Sequence, residues 1–180
     1  IDIVALIVYP HIQKAEKGAL LMKVNKKKVI PAIPDSASSP TLVTVPAEPQ
    51  SLVVDRQKTV VLIIDMQNAF VKKGGMCDLW GFDTANAMKI IKPIKRLAGA
   101  ARAKGCKVVY TAHRYSADLH EMGGANSSTW YKSREVYDYL GHPEWQDKLV
   151  ARGTWGVDIV DELKPEEGDV IVEKSRYSAF

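Results

Sequence analysis

Apolar residues along the chain fall into short unbroken runs and one amphipathic stretch. Thr59 to Met66 reads TVVLIIDM, and its five consecutive apolar residues, Val60 to Ile64, predict a strand buried on both faces of a parallel sheet. Cys106 to His113 (CKVVYTAH) predicts a second such strand, and Asp169 to Lys174 (DVIVEK), set up by Pro165 and Gly168, a third. Between the first two, Ala87, Ile90, Ile91, Ile94, Leu97, Ala98 and Ala101 recur at helical spacing. Asp83 or Thr84 can cap that helix, Pro93 should kink or restart it, and Gly105 sits where its C-terminal cap belongs. Val157 to Leu163 predicts a further short helical segment, and residues 114–135 a long polar loop over the sheet. Strands alternating with helices give an α/β fold with right-handed crossovers.

The first 56 residues have a different texture and are expected to be an arm or linker ahead of a domain over 57–180. Residues 31–50 hold five prolines around a Ser-rich centre. Lys26-Lys27-Lys28 forms a short basic cluster, read as a solvated turn or, less simply, a polyanion contact. The chain starts at Ile1 and its first Met is Met22. Purine-rich codons for Glu16-Lys17-Gly18 would resemble a ribosome-binding site, so residues 1–21 are expected to be non-native upstream sequence.

Charge and composition mainly exclude. The 180 residues carry 25 Lys plus Arg against 21 Asp plus Glu, a net charge of +4. That excess is divided evenly: residues 1–50 hold 6 basic and 4 acidic groups, leaving 19 and 17 for residues 51–180. No basic block argues for nucleic acid. The longest apolar run, Ile3 to Tyr9, is far too short to span a bilayer. Two widely separated cysteines, Cys77 and Cys106, make neither a disulfide framework nor a zinc set, which fits a reducing cytoplasm.

In parallel α/β sheets, ligands bind beyond the carboxyl ends of the strands. Asp65 ends the first apolar run, His113 the second and Lys174 the third. Each alone has a plainer explanation: a lone Asp caps a turn, and a lone Lys is solvated. Together, Asp65 and Lys174 could form a buried ion pair, an arrangement able to activate a thiol: the carboxylate takes the proton and the cation favours the thiolate. His113, Arg114, Asp118 and His120 match no helix-face or zinc-knuckle spacing, so no metal is expected. The aromatics Phe70, Trp80, Tyr115, Trp130 and Tyr131 lie in connections; Phe70 and Tyr115 suit a pocket wall as well as they suit sheet cover. Neither cysteine has the setting of a nucleophile: Cys106 opens a buried strand and Cys77 lies away from any strand end. Nucleophile-elbow and phosphate-loop motifs are both missing.

The succession VVLIIDMQNAF, GG, AARAKG, VVYTAHR and GDVIVEKSRYSAF resembles the isochorismatase-like cysteine hydrolases over residues 57–180. Within that superfamily GGMCDLWGFD, EMGGANSSTWYKS and ARGTWGVDIVDELKPEEGD resemble ureidoacrylate amidohydrolases, whereas YTAHRYSADL leans toward biuret and carbamoyl-amide hydrolases. The resemblance implies a three-layer Rossmann-like fold and an Asp–Lys–Cys triad, with Asp65 as base and Lys174 as the lysine. The family's cysteine follows a fourth strand beyond the lysine, so the chain is expected to be the N-terminal part of the domain, with an incomplete sheet and no nucleophile. On its own it is then expected to be inactive and prone to aggregate through exposed Val170 and Val172.

By the same resemblance the full-length protein is expected to be a cytoplasmic, metal- and cofactor-free homo-oligomer cleaving a small ureido or carbamoyl substrate through a thioester. Phe70, His113, Tyr115, Glu121 and Tyr177 are the candidate substrate contacts. Nicotinamidases place a metal-binding Asp two residues before a His; here the stretch is Thr111-Ala112-His113, which disfavours that activity. The ureidoacrylate enzymes carry Asn and Trp where this chain has His113 and Tyr115, which leaves the substrate open. Isochorismatase or nicotinamidase chemistry, and a non-catalytic truncated paralogue acting as a binding domain, are the alternatives.

Overall fold

The computed structural model describes residues 4–8, as backbone, and 40–179. Met22, Lys26–Lys28 and residues 31–39 of the Pro-rich stretch lie outside the described residues. Six strands are present among the described residues: β1 (Val4–Val8), β2 (Leu42–Val45), β3 (Leu52–Asp55), β4 (Thr59–Ile64), β5 (Lys107–His113) and β6 (Val170–Lys174). A four-stranded sheet has the order β1-β4-β5-β6, and every pairing in it is parallel. Within the stretch expected as an arm, β2 and β3 pair antiparallel as a separate hairpin, and β1 pairs with β4.

Register sets which side chains share a face. Val61 lies opposite Val108 and Ile63 opposite Tyr110. These four are buried against helix α3 (Ala85–Ala103), through its Ala87, Ile91, Ile94, Ala98 and Ala101. Each fully buried side chain as large as Ile63 or Ile94 contributes about 1.5–3 kcal/mol. The helix runs through Pro93 with no fresh start, because the apolar stripe on both sides of the proline faces one core and Pro93 itself is exposed. Its first turn is capped by Asp83, whose Oδ1 accepts from the Ala85 N–H at 2.9 Å. Gly105, at φ +74°, closes its C-terminus in the left-handed conformation that favours glycine.

The other face is thinly covered. Val170 and Val172 on β6 are 44% and 40% exposed there, while Ile171, in register with Tyr110 on the α3 face, is 43% exposed. Sequence periodicity had predicted one helical segment over 157–163. The chain instead makes two 3₁₀ turns, Trp155–Val157 and Asp161–Leu163, because the residues between them pair with the chain after β4. There the Asn68 N–H donates to Asp158 O and the Val160 N–H to Met66 O. The remaining helices are short: α1 (Asn68–Val71), α2 (Met76–Leu79), α4 (Ser128–Lys132) and α5 (Arg134–Gly141). A second apolar cluster, including Tyr115, Leu119, Met122, Val136 and Val150, fixes the long connection between β5 and β6. No helix of the described residues is long and apolar enough to cross a membrane.

Candidate active site

Parallel pairing places three carboxyl ends side by side. His113 lies opposite Lys174 in the β5–β6 register, and the Asp65 N–H donates to Thr111 O at 3.1 Å just beyond β4. The Lys174 ammonium donates to Asp65 Oδ2 at 2.7 Å, and the two side chains are only 7% and 10% exposed. Lys174 also donates to Tyr177 O at 2.9 Å, and the Thr111 hydroxyl donates to Asp65 Oδ1 at 3.2 Å. Asp65 has φ 54°, in the left-handed region that Asp adopts more readily than most residues with a Cβ.

Burial raises the Asp65 carboxyl above its ordinary value of 3.8; the hydrogen bond and charge of Lys174, then the Thr111 hydroxyl, oppose that rise without cancelling it. A carboxylate lifted in this way is a stronger base than a solvated one, and a fixed cation lies beside it.

Beside the pair stands a cluster of rings. His113 is 2% exposed and contacts Tyr115 edge-on at 4.7 Å between centroids, with Phe70 and Tyr177 each at 6.3 Å. Its Nε2 is buried without a hydrogen-bond partner. Burial, then the charges of Lys174 and Arg176, lowers the imidazole to about 4, so it is neutral at pH 7. Four of the five expected substrate contacts therefore meet in one place. Glu121 does not join them. Its carboxylate accepts from the Ser116 N–H and hydroxyl, the latter at 2.7 Å. Its main-chain O accepts from Arg176 at 2.8 Å. Burial raises its carboxyl, but the Ser116 hydrogen bonds outweigh this and hold it below the usual range.

Gln67 was not among the candidates, yet it holds the site together. Fully buried, it accepts from the His113 N–H at 2.7 Å and donates to His113 O at 2.9 Å and Val157 O at 2.7 Å. The signal was the polar pair Gln67-Asn68 directly after the strand end at Asp65-Met66. Thr111 was missed because a threonine in a strand is ordinary.

The cysteines are elsewhere. Cys77, in α2, is 4% exposed, and burial with the charge of Glu135, opposed by Arg134, pushes its thiol up to about 12. Cys106 precedes β5, at the opposite end from His113 and about 20 Å away for a seven-residue strand. Asp118, His120 and Glu121 can bring one donor atom each within 4.8 Å of the others, at the exposed loop edge. His120 Nδ1 lies 3.0 Å from Asp118 and 3.7 Å from Glu121. His113 is not part of that group.

Comparison with known proteins places the chain among families as follows. Residues 59–180 match the family described as Isochorismatase domain. The ureidoacrylate amidohydrolase RutB of Caulobacter segnis is 43% identical over 147 residues, covering 82% of this chain and 62% of the relative. RutB of Agrobacterium fabrum is 43% identical over 137 residues, covering 76% and 60%. The chain thus spans about three fifths of the length of these curated relatives. Among solved structures, an isochorismatase family protein from Desulfovibrio vulgaris is 30% identical with a TM-score of 0.46, over 67% of this chain and 54% of that one. With its parallel α/β sheet and a profile match over two thirds of its residues, the chain belongs to the isochorismatase domain family.

Proposed function

We propose that the protein is a metal- and cofactor-free amidohydrolase cleaving a ureido or carbamoyl C–N bond of a small molecule, with Asp65 as base and Lys174 as the cation favouring a thiolate. The buried 2.7 Å Asp65–Lys174 pair carries this reading. A buried ion pair adds little net stability and is costly to hold in place without a use. The names of the relatives supply the bond class.

Asp65 takes the proton of a cysteine thiol that neither Cys77 nor Cys106 supplies. The thiolate attacks the substrate carbonyl carbon, the C–N bond breaks, and the leaving nitrogen takes the proton from Asp65. Water then attacks the thioester, giving its proton to Asp65, and the released sulfur recovers a proton to re-form the thiol. Phe70, Tyr115 and Tyr177 wall the substrate, and His113, neutral, offers its Nε2 to it. Gln67 and Glu121 position these groups. The full protein is proposed to work in the cytoplasm as a homo-oligomer.

The test is ammonia release from a ureido acid and from biuret by protein expressed from the native gene, with and without Asp65→Asn. Equal activity in the variant would overturn the assignment of the base.

A further inference from the structure

α5 opens on a carboxylate that the proposed chemistry leaves unused. Glu135 stands in the first turn of that helix, where an acidic side chain ordinarily faces solvent and complements the helix dipole. Here it is only 4% exposed, and it forms no ion pair among the described residues. Its neighbour Arg134 pairs instead with Asp138 at 3.5 Å and lies over the Trp80 ring. A buried carboxylate without a cation is costly, and an interaction with the dipole needs no burial, so the helix alone does not account for it.

What Glu135 touches does account for it. Ser133, also buried and at the N-cap of α5, makes no side-chain cap bond to the helix and donates its hydroxyl to Glu135 Oε2 at 2.6 Å. That hydroxyl is also hydrogen-bonded to the Tyr115 phenol, and Glu135 to the Tyr177 phenol. Burial first, and then the charge of Glu135, raises both phenols above their ordinary value of 10. Tyr115, Ser133 and Tyr177 line one cavity. Tyr177 is 75% exposed, so packing alone does not fix its ring. Lys174 holds its main-chain O at 2.9 Å, and Glu135 meets its hydroxyl at the far end of the side chain. The rings of Tyr115 and Tyr177 lie 4.7 Å and 6.3 Å from that of His113.

We propose that Glu135 is a positioning residue of the active site, whose carboxylate anchors Tyr177 directly and Tyr115 through Ser133 and so fixes the two rings flanking His113. This goes beyond the proposed hydrolytic function but rests on its placing of those rings in the substrate wall. The partners of Glu135 are the wall residues and not the Asp65–Lys174 pair, so what it governs is the holding of substrate and not bond cleavage. Glutamine keeps the size of Glu135 and can still accept from Ser133, but its hydrogen bonds are no longer charge-assisted. That difference is worth about tenfold in KM, with kcat held within about twofold.

The test is steady-state ammonia release from 3-ureidoacrylate by protein expressed from the native gene, as parent, Glu135→Gln, Tyr177→Phe and the double variant, with circular dichroism checking each fold. Glu135→Gln should raise KM and spare kcat. Each single substitution weakens the same hydrogen bond, so the KM increase of the double variant should fall well short of the product of the two. Ser133→Ala removes only the link to Tyr115; it should also raise KM, and it gives the answer if Glu135→Gln does not fold. Tyrosine ionisation followed by ultraviolet absorbance needs no turnover: Glu135→Gln should bring down the titration of Tyr177, identified as the one lost in Tyr177→Phe. An unchanged KM, a fall in kcat alone, single effects that multiply in the double variant, or a Tyr177 titration indifferent to Glu135→Gln would overturn the proposal. A parent that releases no ammonia would remove the hydrolytic function instead, and the titration then decides alone whether Glu135 holds the rings.

Discussion

Replacing Lys174 by Met isolates the energetics on which the site depends. The substitution leaves the Asp65 carboxyl 10% exposed, with the Thr111 hydroxyl at 3.2 Å as its remaining side-chain donor. Breaking a buried pair by removing one partner costs about 3–5 kcal/mol. The carboxyl can escape part of this by taking a proton, and from an ordinary value of 3.8 that sets a ceiling of about 4 kcal/mol at pH 7. The sign follows from linkage. An acid whose folded value is raised incurs no charge penalty below its unfolded value, and the penalty grows as pH rises toward the folded value. The ceiling therefore drops by about 1.4 kcal/mol per pH unit, to under about 2 kcal/mol at pH 5. The lost hydrogen bond to Tyr177 O adds about 1 kcal/mol that does not vary with pH. Urea unfolding followed by tryptophan fluorescence at pH 7 and pH 5 measures both parts. The double variant Asp65→Asn/Lys174→Met should recover at least half the cost, since no charge is then left buried. A loss below about 1 kcal/mol at pH 7, or one independent of pH, would refute the reasoning.

Three further outcomes follow. Because burial raises Asp65 and the base must be ionised, kcat/KM should fall with decreasing pH through a value above 3.8, and an acid limb at or below 3.8 would contradict this. Dialysis against a chelator should leave activity unchanged, and loss with recovery on adding zinc or manganese would point instead to Asp118, His120 and Glu121. The 180-residue chain should self-associate on size exclusion through β6, where Val170 and Val172 are 44% and 40% exposed, and Val172→Lys should reduce this; a monomeric elution of the unaltered chain would count against it.

The parts of the fold written plainly in the sequence are those where one requirement dominates. Five consecutive apolar residues, Val60 to Ile64, admit a strand buried on both faces, and the stripe from Ala87 to Ala101 admits one helix face. Polar residues closing such runs fall at carboxyl ends once the strands are parallel, so Asp65, His113 and Lys174 could be brought together before any coordinates. What escaped depends on contacts between distant residues. The turns at 155–163 take their shape from main-chain bonds to Met66 and Asn68, which no local periodicity encodes. Gln67 looks like any polar residue after a strand until His113 is seen to be bonded to it twice. Glu121 has the chemistry of a substrate contact, but Ser116 occupies its carboxylate. The positive φ of Asp65 is likewise a product of its surroundings.

The central claim is that the Asp65–Lys174 pair drives C–N bond hydrolysis, and the most direct measurement is ammonia release from 3-ureidoacrylate by protein expressed from its native gene, compared with Asp65→Asn. Losing the base also leaves the nucleophile unactivated, so the rate should fall by more than the roughly 10²–10⁴-fold typical of general-base removal. The circular dichroism spectrum should be unchanged. A variant that keeps near-parental activity, or a parental protein that releases no ammonia from any ureido compound, would contradict the account.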